Sequence, residues 1–283
     1  MTDRKIFADE IEGYRAYVGR SIRETDTVGT HVATTMAATL DRPHNGQDLP
    51  PMWHFGLFLT KMPTSKLGID GHAPRGEFMP PVLLPRRMFA GSDIKFPHPL
   101  KIGQVVTRVS RIASVEHRQG KTGDLIFVRV SIIISQADRV CIEEDQTIVY
   151  RGTGTRLPKV LVAPRQALKP DEVSQDWTPN SVELFRYSAA IFNGHRIHFD
   201  FRYVTEEEGY PDLIVHGPLT ATRLCDFAEK TAGRSIARFR FRGEAPLFVD
   251  EPIRLVGHMK GGECEVRAER VDGIIAMSAT ASF

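Results

Sequence analysis

The feature that most constrains this chain is an unbroken helical stretch set between a Gly-Pro pair and a series of short alternating segments. Gly217 and Pro218 are helix-start signals, proline being tolerated in the first turn, and Leu219 to Ala232 runs on without a breaker to Gly233. Ala221, Leu224, Cys225, Ala228 and Ala232 recur at three- and four-residue spacing, which predicts a narrow apolar stripe of small side chains. Such a stripe lets a helix lie close on a sheet. The C-terminal segments supply that sheet: Ile236 to Phe241, Ile253 to Lys260, Glu263 to Arg270 and Ile274 to Phe283 alternate with period two between glycine-rich or charged turns.

The first half of the chain has the same order. Residues 3 to 20 carry the pattern of a short amphipathic helix, and Val32 to Leu40 that of a weak one. Pro50-Pro51 introduces Met52 to Leu59, a dense apolar segment expected to be a buried helix entered through proline. Residues 61 to 87 are loop-like, and strands occupy Met88 to Arg151, with Gly120-Lys121-Thr122-Gly123 as a hairpin turn. Pro158, Pro164, Pro170 and Pro179 give 153–180 the composition of a linker. The expectation is an α+β chain of two similar units, 1–152 and 181–283, joined by that linker. A helix wrapped by an antiparallel sheet is the hot-dog fold, and its duplication a double hot dog.

Composition excludes several classes of function. With 37 basic against 35 acidic residues, no strong field for nucleic acid or a membrane surface exists. No apolar run approaches the roughly 18 residues of a membrane span, and the acidic start does not read as a signal peptide. Cys141, Cys225 and Cys264 are far apart and form neither a disulfide framework nor a CxxC site. The expectation is a cytoplasmic protein with no metal and no cofactor.

Chemistry-bearing residues concentrate between 184 and 217. Leu184, Phe185, Tyr187, Ile191 and Phe192 mark the approach as buried, and Asn193, His195, Arg196, His198 and Asp200 come next in one loop. Leu213-Ile214-Val215 is expected to be a strand, broken by His216-Gly217-Pro218. The helix start then points unpaired N–H groups and a positive dipole end at the loop, a place where a negative oxygen is stabilised. The HxxH spacing of His195 and His198 suggests a metal site, but no third ligand stands nearby in sequence. Nothing in the first half repeats this spacing, so one site per chain is expected.

These residues carry a resemblance. Tyr187-Ser188, Asn193, His198, Asp200 and His216-Gly217 resemble the hydratase-2 motif of MaoC-like enoyl-CoA hydratases. The run Phe185 to Asp200 is more similar still to hydroxyacyl-thioester dehydratase type 2 and to bacterial mesaconyl-C4-CoA hydratases, and Leu84 to Ser92 and Pro50 to His54 resemble their first, FAS1-like dehydratase domain. The resemblance implies a hydro-lyase that adds water reversibly across an α,β-unsaturated acyl thioester, with acyl-CoA as substrate and no further cofactor. It implies neutral His198 as base toward water, Asn193 as the group orienting that water, and the Gly217 N–H at the enolate oxygen. The general MaoC pattern has aspartate where Asn193 stands, although the type 2 group shares the asparagine; an amide cannot act as a base.

His216, Asp200, Arg196, Arg87 and Arg240 are candidates for holding the substrate. For Asp200 two roles stand, fixing a histidine or capping a turn, and His216 reads first as packing or hydrogen-bonding around the helix entry. Arg240, between Arg238 and Arg242 on one strand face, either contacts CoA phosphates or lies on a solvated sheet; Arg86 and Arg87 invite the same pair of readings. Two other functions are consistent with the sequence: a hot-dog thioesterase, and a non-catalytic acyl-CoA-binding subunit. A homodimer of double units is the expected assembly.

Overall fold

The computed structural model describes residues 5–120, 123–153 and 156–283. Residues 121 and 122 of the expected hairpin turn, 154 and 155 of the expected linker, and the first residues of the expected N-terminal helix lie outside them. The strands are β1 (Ser21–Thr27), β2 (Asp48–Leu49), β3 (Arg86–Lys95), β4 (Leu100–Lys101), β5 (Val105–Gly120), β6 (Gly123–Gln136), β7 (Arg139–Arg151), β8 (Val173–Trp177), β9 (Arg238–Gly243), β10 (Ile253–Lys260), β11 (Glu263–Glu269) and β12 (Ile275–Ser282). The α-helices are α1 (Ala8–Arg15), α2 (Thr30–Leu40), α3 (Ser181–Ala190) and α4 (Gly217–Ala232). Among the described residues no helix is long and apolar enough to cross a membrane.

Ten strands make one sheet in the order β1-β5-β6-β7-β3-β9-β12-β11-β10-β8. The second five mirror the first, so the sheet consists of two equivalent halves joined edge to edge at β3 and β9. This is the double hot dog. The seam runs antiparallel from Gly91 opposite Arg242 to Lys95 opposite Arg238. At Gly91 a Cβ would run into the Phe241 carbonyl, so the two backbones can close there only on glycine.

Alternation along the strands explains the core. In β6, Ile126, Val128, Val130, Ile132 and Ile134 are buried on one face, as period two requires. In the second half α4 buries Ala221, Leu224, Cys225 and Ala228 and packs on β10, β11 and β12, touching β3 and β9 as well. The small side chains bring helix and sheet together, and Gly233, in the left-handed conformation (φ 65°), stops the helix. Helices α2 and α3 pack on each other, and Arg42, just beyond α2, pairs with Asp226 and Glu229 of α4.

Three expectations are corrected. Met52 to Leu59 is not a helix matching α4 but a single 3₁₀ turn, Trp53–Gly56; Met52 (φ 70°) and Phe58 (φ 53°) take left-handed backbone at either side of it. The apolar side chains are buried all the same, Trp53 and Met52 completely, so the segment fills the core without lining it as a helix. Val173–Trp177, assigned to the linker, is the edge strand β8 paired with β10, because it occupies the place that β1 holds in the first half. Leu213 to Val215 forms only a bridge, Ile214 to Phe248, flanked by two further backbone bonds.

Candidate active site

Helix α3 is capped by Asn180, whose side chain accepts from the Glu183 N–H at 2.9 Å. It ends at Ala190; Phe192, two residues on, takes left-handed backbone (φ 49°), and the Asn193 N–H returns to the Ser188 carbonyl at 2.8 Å. The chain then makes one 3₁₀ turn, Arg196–His198. This compact loop aims successive side chains in different directions. Leu184 and Tyr187 are buried as expected, whereas Phe185 and Phe192 are more than half exposed and line the mouth of the cleft beside the loop.

His198 is buried, and its Nδ1 lies 2.7 Å from the Ile214 carbonyl oxygen. A carbonyl only accepts, so Nδ1 carries the proton and Nε2 keeps a free lone pair. Burial, only partly opposed by that hydrogen bond, pulls the imidazole down to about 4. The ring is therefore neutral at ordinary pH, the state a base requires. His198 stacks on His216 with ring centroids 3.6 Å apart. His216 is fully buried and its Nε2 lies 2.8 Å from the Ser188 hydroxyl, so it supports His198 from behind. It packs and hydrogen-bonds at the helix entry, as one of its two readings had it, and its place among the substrate-holding residues is corrected, since it has no exposed surface.

Immediately after His216, α4 begins at Gly217 with proline in its first turn. His198, Asn193, Gly217, Pro218, Ser188 and Ala189 line one cleft of about 1740 Å³. Gly217 lies on that cleft at the first position of α4, and the orphan donors of a helix start favour an oxygen that gains negative charge.

The other expected residues divide. The Asn193 side-chain oxygen accepts the His195 N–H at 3.0 Å, so it holds the turn and only its NH₂ group is left for water or substrate. Asp200 accepts from the Tyr203 N–H at 3.0 Å and pairs with Arg196 at 2.7 Å; it caps a turn. Arg196 also donates to the Ile69 carbonyl at 3.0 Å. Neither side chain is part of the cleft wall, so the expectation that they hold substrate is corrected. Arg87 and Arg240 do line the cleft. Arg238, by contrast, is committed to Asp93 across the seam.

Two residues that sequence reasoning passed over enter from the first half. Asp70 and His72 belong to the loop 61–85, and the His72 ring lies 4.2 Å, centroid to centroid, from His195. The HxxH pair thus gains neighbours that no sequence spacing showed: Asp70, His72 and His195 bring ligand-type atoms within 4.8 Å of one another. The only local signal was the Asp-Gly-His triplet itself. Both halves build the site, since Met88 and Phe89 of β3 line it too.

The family model of hydroxyacyl-thioester dehydratase type 2 matches residues 52–249, which spans the first-half loop, the histidine loop and α4. The chain belongs to this family. It is accordingly a hydro-lyase, a hydratase or dehydratase of acyl thioesters. It is 42% identical to the mesaconyl-C(4)-CoA hydratase of Chloroflexus aurantiacus over 94% of this chain and 96% of the relative. It is 30% identical to the mitochondrial hydroxyacyl-thioester dehydratase type 2 of Schizosaccharomyces pombe over 73% and 77%. Among solved structures a MaoC-like dehydratase matches with a TM-score of 0.67 at 16% identity, covering 95% of this chain and 99% of the other. HtdX of Mycobacterium tuberculosis matches at 0.65 and 16%, covering 93% and 99%. Likeness at that identity speaks for the fold of the family, with both halves included.

Proposed function

We propose that this family member hydrates an α,β-unsaturated acyl-CoA of mesaconyl type, branched or dicarboxylic, with His198 as the base. The observation that carries the mechanism is the His198 hydrogen bond to the Ile214 carbonyl, which fixes the tautomer and leaves Nε2 toward the cleft. Water attached to that nitrogen loses a proton to it as its oxygen adds to the β-carbon. Negative charge moves to the thioester oxygen, where the Gly217 N–H and the helix start stabilise it; one lost donor of this kind typically costs ~100-fold in rate. The Asn193 NH₂ group positions the water or the acyl chain.

The choice of acyl group is supported by the 42% identity to a mesaconyl-C(4)-CoA hydratase, and by Arg87 on the cleft wall, a guanidinium suited to a free carboxylate. Arg240, on the exposed sheet face where the cleft opens, suits the CoA phosphates. A cytoplasmic setting is supported by the three cysteines, all buried and free. A homodimer is supported by the sheet ending on edge strands β1 and β8, through which a second copy can pair.

The test is a hydration assay on mesaconyl-CoA and crotonyl-CoA, tracking loss of the enoyl-thioester absorbance and the product masses. Gain of one water on mesaconyl-CoA, abolished in His198→Ala, supports the proposal. Release of free CoA without hydration makes the protein a thioesterase, and binding without turnover makes it a carrier subunit.

A further inference from the structure

We infer that His72, held by Asp70, is a second acid–base group of the reaction, delivered to the second half's site by the first half of the chain. This role rests on the hydration reading and adds to it the residue that moves the second proton.

Hydration transfers two protons, one off water and one onto the α-carbon. His198 is fixed by the Ile214 carbonyl and by stacking on His216, so it presents one nitrogen in one direction. Asn193 cannot move a proton, and its oxygen is already spent on the His195 N–H. A partner must come from elsewhere in the cleft, and among the described lining residues His72 is suited to it.

His72 is not a loose surface histidine. Its Nδ1 lies 3.1 Å from Asp70 Oδ2, and its own N–H donates to Asp70 Oδ1 at 3.0 Å. Burial opposes the charge on Asp70, but these hydrogen bonds outweigh it and hold the carboxyl well below the usual range. An ionised carboxylate accepts only, so Nδ1 is the protonated nitrogen and Nε2 is the one left to act. The supporting loop is fastened to the histidine loop. The Arg196 N–H donates to the Asp70 carbonyl and its guanidinium to the Ile69 carbonyl, each at 3.0 Å, and at Gly71 a side chain would collide with the Gly194 carbonyl. The Arg196–Asp200 pair is thereby explained as the fastening of this loop. The ring sits 4.2 Å from His195, which is 5.3 Å from His198. His72 is faced by Asp70 from its own loop and by His195 and His198 from the opposite one, while Arg75 acts on Asp70 and Arg87 on His195.

The step balances. The water oxygen bonds to the β-carbon and yields a proton to Nε2 of His198. The π pair shifts to form the enolate, whose oxygen rests at Gly217. The enolate returns to the carbonyl as the α-carbon takes the proton from Nε2 of protonated His72, leaving that ring neutral. His198 then releases a proton to solvent and His72 takes one up.

The same atoms could close on a divalent cation, and the test separates the two. Steady-state kinetics with mesaconyl-CoA are compared for wild type, His72→Gln, His72→Gly and Asp70→Asn, together with metal content and sensitivity to EDTA. The expectation is a kcat lowered roughly 100- to 1000-fold in His72→Gln with KM nearly unchanged, a typical share for one acid–base group. His72→Gly regains turnover with added imidazole, and EDTA is without effect. Turnover of His72→Gln within about threefold of wild type overturns the inference. So does a loss with no imidazole rescue, which marks a structural role, and so does a stoichiometric metal whose removal abolishes activity. Wild type that hydrates no enoyl thioester overturns the hydratase reading and the role of His72 together.

Discussion

The two halves of the sheet have the same strand order and pursue different ends. In the second half the space inside the sheet holds α4, whose N-terminus is a ready-made site for a developing oxyanion. In the first half the corresponding stretch, 41 to 85, has no α-helix; it packs Met52, Trp53 and Leu57 into the core and sends Asp70 and His72 across to its neighbour. The first half buries one histidine and the second three. His198 in the second has a free Nε2 on the cleft, whereas His54 in the first turns its Nε2 toward Glu144, 3.4 Å away, among Phe55 and Phe96. One pattern was thus divided into a half that carries His198 and the start of α4 and a half that completes and supports the cleft. A buried histidine becomes reactive only where one nitrogen is satisfied and the other meets the cleft.

Substitutions at the two histidines test that division most severely. His198→Ala is expected to lower kcat/KM by ~1000-fold or more with the fold intact by circular dichroism. His54→Ala is expected to lose ~3 kcal/mol of stability in urea titration, from the cavity and the partner removed from Glu144, with kcat unchanged. A catalytic defect in His54→Ala at full folding would break the comparison.

Acid should strike the second half first. Burial lowers His198 from 6.5 to about 4, so the unfolded chain binds that proton more readily, and stability present above pH 6.5 is lost as pH falls toward 4. The His198 contribution is roughly 3 kcal/mol. Unfolding midpoints at pH 7 and pH 4.5 for wild type and His198→Gln measure it, and an equal acid loss in both would assign the effect to other groups. A smaller effect is expected at the clip between the halves. Arg42→Ala leaves Asp226 and Glu229 of α4 without their shared cation, and burial already raises Asp226 to about 6 against the pull of Arg42. A loss of about 2 kcal/mol in thermal unfolding is expected, with activity per folded molecule unchanged. Least affected is Arg238→Ala, at the half-exposed seam pair with Asp93. Its melting temperature should match wild type within calorimetric error, since backbone pairing and Gly91 hold the seam.

Much of the fold could be read from the chain because its signals are local. Period-two alternation marks β5, β6 and β7, and proline after glycine opens α4 at Gly217 as expected. The same reasoning failed at Pro51, where the apolar run is too short and too broken by turns to continue as a helix, and at Val173–Trp177, whose burial pattern is almost wholly exposed and became a strand only because β10 had an edge to pair. The site divides likewise. His198, Asn193, Gly217, Arg87 and Arg240 lie on the cleft, while Asp200, Arg196 and His216 are turned to turn-capping, fastening and support.

By itself the sequence determined the long strands of both halves, helix α4, the duplication and the loop that brings His198 to the start of α4, since periodicity, turn residues and helix-start signals act over a few neighbours. The tertiary structure decided which nitrogen of His198 is free, that Asn193 spends its oxygen on its own turn, and that Asp70 and His72 arrive from more than a hundred residues away. Those outcomes depend on hydrogen-bond partners and burial, which exist only once the two halves of the sheet have closed on each other.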